Sequence, residues 1–293
     1  MSKRNAKSTA PHERSAWGLI LFRFQKNKLA MLGVVILAAM ALVILLAPLY
    51  VSYDRVSALD VLNKFVTPCK EFPFGTDELG RDLFARVIYG GRISLFGGIA
   101  TIVIAFSIGC IIGGAAGYFG GKVDTVLMRM IDMLMAIPSA LLAMAIITAL
   151  GNGIWKLIIA LAISEIPRFA RVVRASILTL RNQEYVEAAK CYGSSSLQII
   201  MRHILPNGIG PIIVSATLML GQTIISISSM GFLGLGVESP TPEWGTIISE
   251  NKINIRYYPH LGLIPGACIM LAVMAVNFIG DGLRDAFDPR TKN

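Results

Sequence analysis

Charged side chains are scarce in this sequence. Asp, Glu, Lys and Arg make up 15% of its 293 residues, while 54% are hydrophobic. Soluble domains carry about 25% charged residues, so the shortage argues against a chain that hides its apolar groups in one or two water-surrounded cores. Cysteine is sparse too. Cys69, Cys110, Cys191 and Cys268 fall in different parts of the chain with no CxxC spacing. That pattern speaks against a metal site and against a disulfide framework; the four read as small buried or surface residues. The histidines, His12, His203 and His260, are far apart, and neither HExxH nor GxSxG occurs. A phosphate-cradling GxxxxGK[ST] loop is missing as well: Gly121-Lys122 is followed by Val123 and lacks the leading glycine. The expectation is a chain that is not an enzyme, binds no cofactor or metal itself, and cannot power a pump alone.

What the chain has in place of charge is long apolar runs, and its mean hydropathy is +0.64. The runs approach the length of about 20 residues that crosses hydrocarbon about 30 Å thick. Six spans are expected, at 29–51, 93–119, about 126–149, about 154–172, about 209–235 and 261–280. The expected class is therefore all-α, a polytopic membrane protein, because a lipid-exposed span must satisfy its own backbone. The first span is too long for a signal-peptide core and is expected to be retained. Before it stand Lys3, Arg4, Lys7, Arg14, Arg23, Lys26 and Lys28 against one acid, Glu13. Within that leader SAWGLILFRFQKNK is amphipathic and is expected to lie along the inner membrane surface, with Trp17 and Phe22 facing lipid. The formal net charge of +9 does not indicate nucleic acid, because the charges sit beside the apolar runs.

Most Lys and Arg fall in the segments that share a side with the two termini. On the other side, Asp54, Asp60, Glu71, Asp77, Glu78 and Asp82 balance the basic residues of 52–92. Both termini are therefore expected in the cytoplasm. The segments are a basic leader with its interfacial helix (1–28), a first helix (29–51), an extracytoplasmic stretch (52–92), a membrane domain (93–281) and a tail (282–293).

Inside the membrane domain, Gly109, Gly113 and Gly117 recur every four residues. They put three positions without side chains on one helix face, which suits either tight packing or a sliding contact. Arg129 and Asp132, three apart, share a face and read as an ion pair near the cytoplasmic end. Pro138 removes a hydrogen bond from the third span and is expected to bend it. Glu165, Arg168, Arg171 and Arg174 form a stripe expected on the last turns of the fourth span. It serves either as a headgroup anchor or as a contact for a cytoplasmic partner. No ionisable residue reads as isolated at mid-bilayer in the manner of a proton relay.

The run EYVEAAKCYGSSSLQIIMRHILPN (184–207) interrupts this greasy sequence. It predicts a short helix to about Lys190, a bend at Gly193, a second helix started by a serine, and a stop at Pro206. Glu187, Ala188 and Ala189 set one charge beside two small side chains, so the first helix can lie flush in a groove of another protein. Glu187-Ala188-Ala189, Gly193 and Leu205-Pro206 together resemble the EAA loop of bacterial ABC-transporter permeases. FGTDELGRDLFARVIYGGRISL (74–95), YFGGKVDTVLMRMIDMLMAIPSALLA (118–143), GFLGLGVESPTPEWG (231–245) and GDGLRDAFDPR (280–290) resemble the C-type subunits of the dipeptide/oligopeptide/nickel permease group. The resemblance covers about residues 15–290.

It implies the type I ABC importer permease fold and a subunit forming half of a translocation pathway for di- or oligopeptides. It further implies a second, B-type permease, two ATPase subunits carrying ATP and Mg, an extracytoplasmic substrate-binding protein and a lipid environment. The EAA residues Glu187, Ala188, Ala189, Gly193, Leu205 and Pro206 would form the ATPase-coupling loop. Nickel or metal-chelate import and glutathione import are the alternatives within the family. Outside it stand an ion-gradient-driven transporter, which would need mid-membrane carboxylates or broken helices, and a non-transporting scaffold.

Overall fold

The computed structural model describes residues 16–288. The expectations placed on Lys3, Arg4, Lys7, His12, Arg14, Arg290 and Lys292 fall outside that range.

The described residues are helical, joined by turns, with a single isolated bridge between Thr76 and Asp82. Helix α1 (Ala16–Lys26) is separated from α2 (Lys28–Tyr50) by Asn27. The side-chain oxygen of Asn27 accepts from the Leu29 and Ala30 amides at 3.1 Å, which starts α2 afresh. Trp17 is half-exposed and meets the edge of Phe287, so α1 is held at the end of the chain's last helix. The two ends of the described chain thus lie together. Beyond α2 the chain forms α3 (Asp54–Ser57) and a 3₁₀ turn, then α4 (Leu83–Gly91). Through one π-helical turn, Arg92–Phe96, α4 runs straight into α5 (Gly97–Phe119). The helix expected to begin at 93 therefore begins at Leu83.

After α5 come α6 (Gly121–Met135) and α7 (Ser139–Leu150), which meet at 83°. Pro138 stands at that break, so the span bends there as expected, by interruption, with the proline capping α7. Helix α8 (Ile154–Leu180) follows, with Pro167 inside it. The short helices α9 (Glu184–Cys191) and α10 (Ser196–Ile199) lead through a second π turn, Ile200–Ile204, into α11 (Leu205–Phe232). Last come α12 (Trp244–Asn251) and α13 (His260–Phe287).

Pro206 does not stop the helix, contrary to the expectation. The π turn shifts the bonding register, so that the Leu205 amide reaches the Ile200 carbonyl. Proline then falls in the first turn of α11, where its missing N–H leaves little unpaired.

Among the described residues, four helices are long and apolar enough to cross a membrane, and five if α6 and α7 count as one broken span. Helix α8 carries too many charges to qualify, so the six expected spans are not recovered by length and composition alone. Its packing fills the gap. Gly109 of α5 faces Phe169, Gly113 faces Ala170 and Val173, and Gly117 faces Ile177. Both series ascend together, so α5 and α8 run parallel and at the same depth. The connection between parallel helices must return to its starting side, which is what the bent α6–α7 pair does. The chain is a multi-pass membrane protein.

Polar residues that read as a loop close one end of the bundle. Arg81 Nε reaches Asp77 Oδ2 at 2.6 Å, and Arg81 and Arg86 converge on Glu250 Oε2 at 2.7 and 2.6 Å. Glu243 is fully buried at the start of α12. It accepts from Ser94 Oγ (2.9 Å), Ser228 Oγ (3.0 Å), and the amide (2.9 Å) and hydroxyl (3.3 Å) of Thr246. Beside it the Trp244 indole, also buried, donates to the Val87 carbonyl at 2.9 Å. Two stretches 150 residues apart in sequence thus form one knot, in which each buried charge has partners.

Candidate functional site

The loop between α8 and α11 is built from the inside outward. Val186 and Ala189 of α9 are buried with Val173 and Ile177 of α8, Ile199 and Ile204 beyond the bend, and Ile212 of α11. Full burial of a valine is worth about 2 kcal/mol, so α9 is pinned by its apolar side to both flanking long helices. Glu187 and Ala188 face outward and Ala189 inward. The three residues therefore do not share a face: Ala189 closes the contact with this chain's own core. On α9 Tyr185 is exposed, as at its end is Tyr192 (90%), and beyond the bend so are Leu197 (70%) and Met201 (59%). Among the described residues no ion pair engages Glu187. The outer face of α9 is thus a small-sided, partly apolar ledge with one uncommitted carboxylate.

Gly193 makes the turn out of α9. Its φ is +76°, and the Ser194 amide returns to the Ala189 carbonyl at 3.1 Å, the bonding of a left-handed helix stop. Ser195 then caps α10 through the Gln198 amide at 3.3 Å. Leu205 and Pro206 begin α11.

The glycine stripe belongs to the same mechanical unit. A Cβ on Gly109 or Gly113 would collide with Phe169 or with the Ala170 carbonyl, and one on Gly117 would lie 3.0 Å from Ile177. Val173 and Ile177 are the residues on which Val186 of α9 rests. Arg181 at the end of α8 donates to the Gly117 carbonyl at 3.0 Å. Helix α6 is tied in by Arg174, which clasps Asp124 through two bonds of 2.5 and 2.6 Å. Helix α9 is therefore linked, through α8, to α5 and α6.

Two expectations are corrected here. Asp132 does not pair with Arg129: it accepts from Arg171 Nη2 at 2.6 Å, while Arg129 is exposed without an ion pair among the described residues. Spacing put Arg129 and Asp132 on one face, but α8 brings a guanidinium to Asp132 from across the helix interface. In the charged stripe of α8, Arg171 and Arg174 are bound to Asp132 and Asp124 of α6, a pairing that neither expected role foresaw. Glu165 also does not sit on the last turns. Helix α8 runs on to Leu180, which leaves Glu165 mid-helix and 6% exposed, 3.3 Å from Arg168. Val186, Asp124 and Arg181 are not among the residues that the sequence singles out. For Val186 the helical spacing to Ala189 was the available signal.

Comparison with known proteins gives the family and the fold. The family described as binding-protein-dependent transport system inner membrane component matches residues 105–293. The N-terminal TM domain of oligopeptide transport permease C matches residues 15–64. The dipeptide transport system permease protein DppC of Alkalihalophilus pseudofirmus is 42% identical over 95% of this chain and 91% of its own length. The oligopeptide transport system permease protein OppC of Bacillus subtilis is 38% identical over 98% and 94%. The glutathione transport system permease protein GsiD of Escherichia coli is 41% identical over 95% and 92%. Among solved structures, a chain of the inward-facing MetNI methionine ABC transporter superposes with a TM-score of 0.60 at 19% identity, covering 70% of this chain and 98% of that one. The fold is that of type I ABC importer permeases. With a pinned inner face on α9, a bare outer one, and relatives aligned along nearly its whole length, the chain belongs to the binding-protein-dependent transport system inner membrane component family, as a permease that works with other transporter subunits.

Proposed function

We propose that this chain forms half of the translocation pathway of an ATP-driven importer of di- or oligopeptides. A second permease forms the other half, and the ledge of α9 seats in a cleft of an ATPase subunit on the cytoplasmic side. ATP and Mg are held by that partner, and a substrate-binding protein delivers cargo at the opposite face. The observation that carries this reading is the two-sidedness of α9. A helix fixed by its inner face to the two long helices that flank it, and uncovered on its outer face, is built to transmit displacement as a rigid body. The relatives named for dipeptides, oligopeptides and glutathione support a short-peptide cargo, with glutathione the second candidate.

The test uses the complete transporter with its binding protein in proteoliposomes. Ala188→Trp adds bulk to the ledge, and Glu187→Lys inverts its charge. Each is expected to lower ATP-dependent dipeptide uptake about tenfold or more and to weaken retention of the ATPase subunits. Uptake and retention both at wild-type level in the double variant would remove α9 from the coupling path.

A further inference from the structure

A cavity of about 330 Å³ opens at the middle of the bundle, lined by Glu165, Arg168 and Ser164 of α8, Gln222 and Ser226 of α11, and Ser139 of α7. That volume is at the small end of the roughly 300–1,000 Å³ typical of ligand sites. Its depth follows from the helix pairing. Leu161 of α8 clusters with Ile227 and Met230 of α11, Phe169 with Met219, and Ile177 with Ile212, so the two helices run antiparallel. Glu165 lies about 16 Å along α8 from its first residue, and Gln222 about 15 Å from the last residue of α11, which is the same end. In hydrocarbon about 30 Å thick both stand near the midplane.

A carboxylate there is costly and needs a reason. Glu165 is more than nine-tenths buried, and its Oε2 has no hydrogen-bond partner. Arg168 Nη1 stands 3.3 Å away on the same helix, but without the alignment of a hydrogen bond, and its side chain is half-exposed toward the cavity. The next charges along α8 and α6 are taken, since Arg171 and Asp132 bind each other. The nearby hydroxyls are also oriented. Ser164 Oγ donates to the Leu161 carbonyl and Ser226 Oγ to that of Gln222, so both present acceptor lone pairs to the cavity.

We propose that Glu165 and Arg168 are a cargo-contacting pair, Glu165 receiving an ammonium group and Arg168 the carboxylate of the same zwitterion. The proposal rests on the peptide-import reading and names the residues that meet the peptide in transit. The pair is neutral as a unit, so exchanging its loose internal contact for two contacts with a zwitterion leaves the net charge of the site unchanged. A dipeptide backbone extends about 7 Å, so the two charged groups, 3.3 Å apart here, must swing away from each other on Cβ atoms about 5–6 Å apart to meet both of its ends. The seryl oxygens add acceptors for the ammonium.

The test again uses the complete transporter in proteoliposomes with its binding protein. Radiolabelled dialanine uptake and ATP hydrolysis are measured on the same vesicles for wild type, Glu165→Asp and Glu165→Gln. Glu165→Gln is expected to cut uptake per ATP hydrolysed about tenfold or more, the effect of losing one charge-assisted hydrogen bond. Glu165→Asp should retain most of the uptake. Wild-type uptake by Glu165→Gln overturns the proposal, as does a parallel fall in hydrolysis and uptake, which would mark Glu165 as structural. Wild-type vesicles that hydrolyse ATP without accumulating dialanine overturn the peptide reading itself, and this proposal with it.

Discussion

Two glycines in this chain are required for opposite reasons, and the difference is measurable. At Gly193 nothing lies within 4 Å of where a side chain would begin, yet φ is +76°. The constraint is backbone conformation alone, so Gly193→Ala should cost about 1 kcal/mol, confined to the end of α9. The expected outcome is faster limited proteolysis near residue 193 with unchanged melting of the purified complex; an unaltered cleavage rate would count against the left-handed stop. At Gly113 the backbone is ordinary, and the obstacle is the Ala170 carbonyl pressed against the helix. Gly113→Val must therefore push α5 and α8 apart along a seam that also supports α9. It should lower the melting temperature and the yield of assembled transporter, whereas the same change at Gly266, which faces open space, should do neither.

At the scale of elements, prolines and buried charges separate what could be read from sequence and what could not. The apolar runs and the four-residue glycine spacing carried the helices and one packing face, because both are periodic and local. Arg129 and Asp132 show where local spacing stops being informative. It says which residues share a face, not which helix will supply a competitor, and Arg171 is 39 residues away. Within the polar stretch 52–92, local spacing could not match Arg81 and Arg86 to Glu250 of α12, which lies more than 160 residues on. Pro206 read as a helix stop because a π turn leaves no compositional trace. Two measurements follow from these elements. Pro206→Ala should change stability by less than about 0.5 kcal/mol, since the helix already runs through it; a large loss would show that proline shapes the turn. Glu243→Ala would strand Ser94, Ser228 and Thr246 in a dry knot and should cost about 3 kcal/mol or more, seen as a lowered melting temperature of the detergent-purified complex. Glu243→Gln, which keeps one acceptor, should cost less.

At the scale of the whole molecule, the parallel run of α5 and α8 fixes how the ends relate. Cys69, exposed in the stretch between α2 and α4, and Cys191, exposed on α9, are separated by the bundle. Helix α5 leads away from the end near Cys69, and α8, parallel to it, leads toward the end near Cys191. The two native thiols therefore lie on opposite sides of the membrane. The excess of Lys and Arg around α9 is the ground for expecting its side to be the cytoplasm. With Cys110 and Cys268 replaced by alanine, a membrane-impermeant maleimide added to intact spheroplasts should label Cys69 and spare Cys191. Inside-out vesicles should show the reverse. Labelling of both thiols from one side would break the parallel arrangement of α5 and α8. A clean exchange of the two patterns would instead keep that arrangement and turn the bundle over, placing α9 beyond the reach of any cytoplasmic ATPase.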